Sequence, residues 1–364
     1  MRHFERFLCA ALILFVVAVY PASANVTGPC ANCHTMHNSQ NGSSVVRDGS
    51  LVGWDSSGRL SGGSIQDAPM KNLLVTGCVG CHTSTTGETI VTIGGSRIPI
   101  VFNTTAYPVK PLAGGNFYYT SLGGDANHAK GHNVFGIAGK DALAEAPGRQ
   151  SGTCSNSTSC HVTLAVPADT DGTFHTGANN GCGGCHVQVA HHRDSKPWYR
   201  FLKGHLDSID YVEGVEDPDW EQNGDQSHHN WYKGHLGPVE GSDTIEDTHS
   251  INSYCGGCHG IFHREGTIRS SGSWIRHPSD IILPETGEYG GYNPATTYSV
   301  QAPVAWTNPA SPTRATAVVM CLSCHRVHGS PYNDILRWDY GTMLAGGSNS
   351  GGCFTCHTQK RQSP

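Results

Sequence analysis

Seven times in this chain, two cysteines are followed at once by a histidine. Six copies read Cys-x-x-Cys-His: Cys30/Cys33/His34, Cys78/Cys81/His82, Cys182/Cys185/His186, Cys255/Cys258/His259, Cys321/Cys324/His325 and Cys353/Cys356/His357. The seventh, Cys154-SNSTS-Cys160-His161, has five intervening residues in place of two. Zinc ribbons and thiol redox enzymes also use paired cysteines, but neither needs a histidine directly after each second one. Histidine fills 22 of 364 positions, so seven such coincidences have odds on the order of one in 10⁸. A disulfide framework would account for paired cysteines but not for the histidines. Covalent attachment of c-type haem requires all three residues: two thiols bond the porphyrin edge and the adjacent histidine ligates the iron. The expected cofactor is therefore haem c, seven copies, with His34, His82, His161, His186, His259, His325 and His357 as proximal ligands. Within the long-spaced copy Cys154 has alternatives, as a dangling thiol or a disulfide partner.

The remaining cysteine, Cys9, lies in a stretch that reads as a secretory signal over residues 1–24. Arg2 and Arg6 begin it, Phe7–Val19 is an apolar run too short to span a bilayer, and Ala22-Ser23-Ala24 is a small-residue cleavage site. The expectation is an exported chain over residues 25–364, forming a single heptahaem unit with no later membrane span. With 46 glycines and charged residues at 14%, the composition is poor for a conventional core. Haems supply what is missing, because each brings a large apolar surface and several covalent ties to the chain. The predicted fold is mostly coil with few short helices and a minor β-hairpin, wrapped around a continuous haem stack. A formal net charge of −6 gives no sign of nucleic-acid binding.

Local patterns add detail. ETIVTI-GGS-RIPIVF (Glu88–Phe102) alternates about a Gly-Gly turn and predicts the hairpin. Residues 112–150 read as Gly-rich loop. The near-repeat WYRFLKGHL (198–206) and WYKGHL (231–236) suggests two equivalent short helices packing aromatic faces on neighbouring haems. Residues 291–313 are Pro-rich and read as an extended surface connection.

A haem that only carries electrons needs a sixth ligand. Setting aside His3 and the motif residues, fourteen of the 22 histidines remain for seven places, against four methionines after the leader (Met36, Met70, Met320 and Met343). Bis-histidine ligation throughout, with low potentials, is the expectation. His37, His263 and His328 follow their motifs too closely to fold back on the same haem and so point to an adjacent one. His132, His205 and His235 follow Lys-Gly, where glycine would let the backbone approach a ring. His277 precedes a proline that fixes its backbone. His191/His192 and His228/His229 are doublets from each of which one member is expected. The distal candidates are His37, His132, His192, His229, His263, His277 and His328. His128, His175 and His249 are weaker ones.

Several segments resemble a known family. CHTMHNSQ after the first motif, KGHNVFG around His132, WIRHPSD around His277 and CLSCHRVHGSPYNDILRWDY at the sixth motif resemble the extracellular multihaem cytochromes of metal-reducing bacteria, including their filament-forming type. The resemblance implies a largely coil chain around stacked bis-histidine haems in alternating parallel and T-shaped pairs. It also implies that the histidine of the CHTMH segment, here His37, ligates a haem of the next subunit. The seventh motif and the five-residue spacer depart from the hexahaem relatives.

These readings favour electron transfer by haem-to-haem hopping over catalysis, with no catalytic residues expected. The expected partners are a head-to-tail homopolymer, other cytochromes or extracellular metal oxides, at the cell surface. A monomeric periplasmic shuttle is the alternative. A nitrite- or hydroxylamine-type reductase would need an open haem, and neither a Cys-x-x-Cys-Lys variant nor a shortage of histidine points to one.

Overall fold

The computed structural model describes residues 29–54, 60–69, 77–143, 145–149, 164–165, 181–186, 191–192, 198–203, 211–236, 248–263 and 277–360. The leader, Cys154, Cys160, His161, His175 and His205 lie outside the described residues, as does the side chain of His263.

Most of the described residues are in turn and coil. Among the described residues the α-helices are four to six residues long and the remaining helical segments are short 3₁₀ turns. None is long and apolar enough to cross a membrane. The segment 112–150 is not all loop, since Tyr118–Ser121 and Asp125–His128 each close one helical turn.

The predicted hairpin is present. Ile90–Ile93 pairs antiparallel with Ser96–Pro99, Val91 opposite Ile98 and Ile93 opposite Ser96. Gly94 and Gly95 both take positive φ (56° and 89°), as the tight two-residue turn between twisted strands requires. Ile93, Ile98 and Ile100 form a small core beside it.

The main sheet runs, in spatial order, Ala317–Val318, Ala305–Trp306, Trp231–Lys233, Tyr211–Val215 and Trp198–Lys203. Trp198–Lys203 and Trp231–Lys233, which open the two copies of the aromatic near-repeat, are therefore strands, not helices. Their Trp and Tyr content favours a pleated, half-buried surface, and neighbouring strands complete the backbone hydrogen bonds. Alternation along the strands separates two cores. Tyr232, Ala305 and Val318 pack with Val212, Ile251, Met320 and Leu322 on one side. Trp306 and Ala317 pack with Leu283, Tyr292, Tyr298 and Val304 on the other.

The Pro-rich stretch also departs from expectation. Tyr292, Tyr298, Ala302, Val304 and Trp306 are all buried. The chain can enter the core there because local turns satisfy its backbone, with Thr297 and Thr296 donating to the Asn293 carbonyl and Ala295 to the Asn293 side chain. A Cβ on Gly234 would sit 2.9 Å from the Ala305 Cβ, so the strand after Tyr232 meets its neighbour at glycine distance.

Candidate functional site

Each of the six Cys-x-x-Cys-His copies closes the same turn. The histidine amide donates back to the carbonyl of the first cysteine: His34 to Cys30 at 2.8 Å, His82 to Cys78 at 2.9 Å, His186 to Cys182 at 2.8 Å, His259 to Cys255 at 3.0 Å, His325 to Cys321 at 3.1 Å and His357 to Cys353 at 3.0 Å. One helical turn puts residues i, i+3 and i+4 on one face, so both sulfurs and the imidazole are presented together.

The helical turn reaches the second cysteine in only two of these copies. In the second and seventh motifs of the chain one helical turn carries both cysteines, Cys78–Cys81 and Cys353–Cys356. In the fifth, the helix Ile251–Gly256 carries Cys255 but ends before Cys258. Cys258 is half-buried in the turn that follows, and its amide donates to the Cys255 carbonyl at 3.2 Å. That bond and the one from His259 converge on the same carbonyl, which keeps Cys258 in its motif although it lies outside the helix. The twelve described cysteines are not cross-linked to one another, so their sulfurs are available for thioethers.

The turns also approach one another. The Cys78 and Cys182 thiols are in hydrogen-bond contact, as are Cys255 and Cys321. Cys81 and Cys33, and Cys324 and Cys353, are close enough to act on each other electrostatically.

Opposite five of the motif histidines stands a second histidine. His34 faces His192 at 6.4 Å between ring centres, and His82 faces His191 at 6.4 Å. His259 faces His132 at 6.1 Å, His186 faces His328 at 6.2 Å and His357 faces His277 at 6.1 Å. Two imidazoles bound to one iron through their near nitrogens are separated by two metal–nitrogen bonds, each about 2.0–2.1 Å, and two ring radii. A five-membered ring with bonds of about 1.33 Å has a radius of about 1.1 Å, giving about 6.3 Å in all. The five observed separations fit a shared iron, and the thiols beside each motif histidine fit the porphyrin edge.

Orientation and protonation suit the same role. The Nδ1 atoms of His82, His186, His259 and His325 reach the carbonyls of Pro99 (2.7 Å), Arg200 (3.3 Å), Pro147 (2.8 Å) and Asp334 (2.8 Å). Across from them, His132 and His277 reach the carbonyls of Val327 (2.7 Å) and Pro278 (2.9 Å). His357 instead donates to a carboxylate oxygen of Glu288 at 2.7 Å. A proton held on Nδ1 leaves Nε2 as the metal-facing lone pair. Burial pushes the His186 pKa down to about 4 and that of His328 down to about 3, with His82 and His259 also lowered by burial. These rings are neutral near pH 7 and able to donate.

Of the distal candidates, His132, His192, His277 and His328 therefore stand at ligand distance from a motif histidine. His191 does as well, although the doublet is expected to supply only one; consecutive residues in a turn point apart and reach two different sites. His37 is exposed, beside Met36 (69% exposed), with φ 55°. His229 is buried, its ring stacked on Tyr298 at 3.6 Å and against Trp231 at 4.1 Å, with Nδ1 on its neighbour's carbonyl at 2.9 Å. His228 is exposed and pairs with Asp225. His249 stacks on Tyr211 at 4.2 Å. At the glycine before His132, a Cβ would fall 2.0 Å from Thr120 Oγ1 and 2.7 Å from the His328 carbonyl. The glycine lets two ligand-bearing segments touch.

Residues 314–362, which hold the last two motifs, match the family described as doubled CXXCH motif. No curated protein sequence matches the chain. Among solved structures, the chain is similar to the outer membrane cytochrome S filament from Geobacter sulfurreducens, at 18% identity over 92% of each chain with a TM-score of 0.42. It is also similar to the OmcS nanowires of that organism, at 17% identity over 93% of this chain and 94% of that one, TM-score 0.42.

Proposed function

We propose that the chain is an exported, single-unit cytochrome that conducts electrons through seven bis-histidine c-type haems. The observation that carries this reading is the set of five histidine pairs at 6.1–6.4 Å, each beside a Cys-x-x-Cys turn. Haem supplies the one-electron exchange between ferric and ferrous iron. The protein fixes ligation through the Nδ1 hydrogen bonds, and it fixes spacing through the contacts between turns. Cys33 to Cys81 and Cys78 to Cys182 join the first, second and fourth motifs; Cys255 to Cys321 and Cys324 to Cys353 join the last three. His328, opposite His186, also lies near His132, opposite His259, which links the two groups.

Saturated ligation favours conduction over catalysis, because substrate needs an open iron. Continuity between subunits comes from His37, exposed at the first motif and donated to a haem of the neighbouring copy, so that the protein polymerises at the cell surface and passes electrons to other cytochromes or metal oxides. Electron microscopy of material sheared from producing cells tests this, comparing wild type with His37→Ala. Filaments that vanish in the variant are expected. Discrete particles in both samples would overturn polymerisation.

A further inference from the structure

Among the motif histidines whose Nδ1 partner is described, His357 differs in kind. The other four reach backbone carbonyls, whereas His357 reaches the carboxylate of Glu288 at 2.7 Å. Glu288 is held firmly. It lies in the turn Gly287–Tyr289, and its carbonyl accepts from the Gln359 amide at 3.1 Å and the Thr358 hydroxyl at 2.8 Å. Its backbone is thus pinned to the segment that carries His357 itself. The second carboxylate oxygen pairs with Lys360 Nζ at 3.1 Å. The Tyr289 ring packs 4.9 Å from the His357 ring and limits its rotation.

An anionic acceptor draws the Nδ1 proton more strongly than a neutral carbonyl does, which raises the basicity of the metal-facing nitrogen. A more basic ligand favours ferric over ferrous iron, so the potential falls; hydrogen bonding to the ligand is one of the protein's levers on a haem. Lys360 works against this by neutralising part of the carboxylate charge. Resting on the haem reading above, we propose that Glu288 is a positioning residue that lowers the potential of the haem at Cys353, Cys356 and His357, and that Lys360 limits how far it is lowered. No bond forms or breaks: the iron takes one electron from an external low-potential reductant and the proton stays on His357.

The test is a redox titration of the haem-loaded protein, with the ferric low-spin components followed by electron paramagnetic resonance. Glu288→Gln keeps an acceptor for Nδ1–H and removes the charge. One component is expected to become about tenfold more reduced at a fixed potential, an upward shift of about 59 mV for a one-electron couple, with the others unmoved. Lys360→Met should move the same component downward. If Glu288→Gln fails to load haem, the Lys360→Met arm decides alone. Full haem content with no single component displaced, or with all displaced together, overturns the role of Glu288. A wild-type protein that lacks haem would instead overturn the haem reading.

Discussion

The doublet His191-His192 gives the sharpest test of the ligand geometry. His192 faces His34 at 6.4 Å with ring planes 19° apart, and His191 faces His82 at 6.4 Å and 14°. Both separations equal two metal–imidazole bonds plus two ring radii, so each ring is placed to complete a different iron. Replacing either histidine by alanine removes one sixth ligand and leaves the opposite motif histidine in position. With seven proposed haems, each single variant should convert one-seventh of the ferric iron, about 14%, to high spin, and the double variant two-sevenths, because the lesions fall on separate irons and add. Spin-quantified paramagnetic resonance of the oxidised protein reads this directly, and added imidazole should restore the low-spin count. If only one single variant gains a high-spin signal, the doublet supplies one ligand and the ring separations do not report ligation. If either single variant shows two-sevenths, the two sites are not independent, and the assignment of one ring to each iron fails.

Two further outcomes follow from groups away from the irons. Glu221 is buried; its Oε1 accepts from the Asn230 amide at 2.6 Å, while Oε2 has no hydrogen-bond partner, and burial pushes its pKa up to about 7. A carboxyl raised in this way stabilises the fold when protonated, and that contribution is lost as pH rises from the ordinary carboxyl range through about 7. Glu221→Gln should therefore gain on wild type between pH 5 and pH 8, by up to about 3 kcal/mol at 1.36 kcal/mol per unit; parallel denaturation midpoints across that range would refute it. Asn38, with φ 78°, accepts from the Val45 and Val46 amides at 3.1 and 2.7 Å and donates to the carbonyls of Ala68 (2.9 Å) and Gln66. Asn38→Ala should cost about 2–4 kcal/mol, at about 1 kcal/mol per bond, and should reduce filament yield by releasing the adjacent His37; an unchanged midpoint would show that the bonds carry no weight.

What is legible in the sequence is what local geometry decides. The six motif turns close on an i to i−4 hydrogen bond, and Gly94-Gly95 sets the hairpin within its own four residues. The facing histidines are another matter: His132 faces His259 and His328 faces His186, each across more than a hundred residues. Nothing near His132 or His328 states which motif it serves. His328 follows the sixth motif in the chain and faces the histidine of the fourth. The aromatic repeat misleads because Trp198–Lys203 and Trp231–Lys233 become strands only through their partners, and Tyr211–Val215 lies between them. The Pro-rich stretch misleads because prolines mark turns without saying which side of the chain faces the core; Val304 and Trp306 are fully buried. Glu288 carries no sequence signal at all, since it lies 69 residues from His357.

The distribution of apolar packing says why ligation and folding belong together. No single core spans the described residues. The four clusters are small, and three of them abut motif turns: Leu322 of the sixth lies in one, Cys356 of the seventh packs against another, and Val79 and Cys182 of the second and fourth pack against a third. Tyr254, beside the fifth turn, donates its hydroxyl to the Cys185 carbonyl of the fourth. These turns thus border the clusters, and each opposed histidine, as an iron ligand, would tie its turn to a remote segment. A tie such as His132 to His259 closes a loop of more than a hundred residues, which in a chain-entropy account removes about 4–5 kcal/mol of unfolded-state freedom. Several such ties offset a composition that buries little apolar surface for its length. On this reading, loss of one ligand pair weakens the two clusters it joins more than it weakens the rest. The damage follows the order of sites in space, with the fourth motif disturbed alongside the second, because Cys78 meets Cys182.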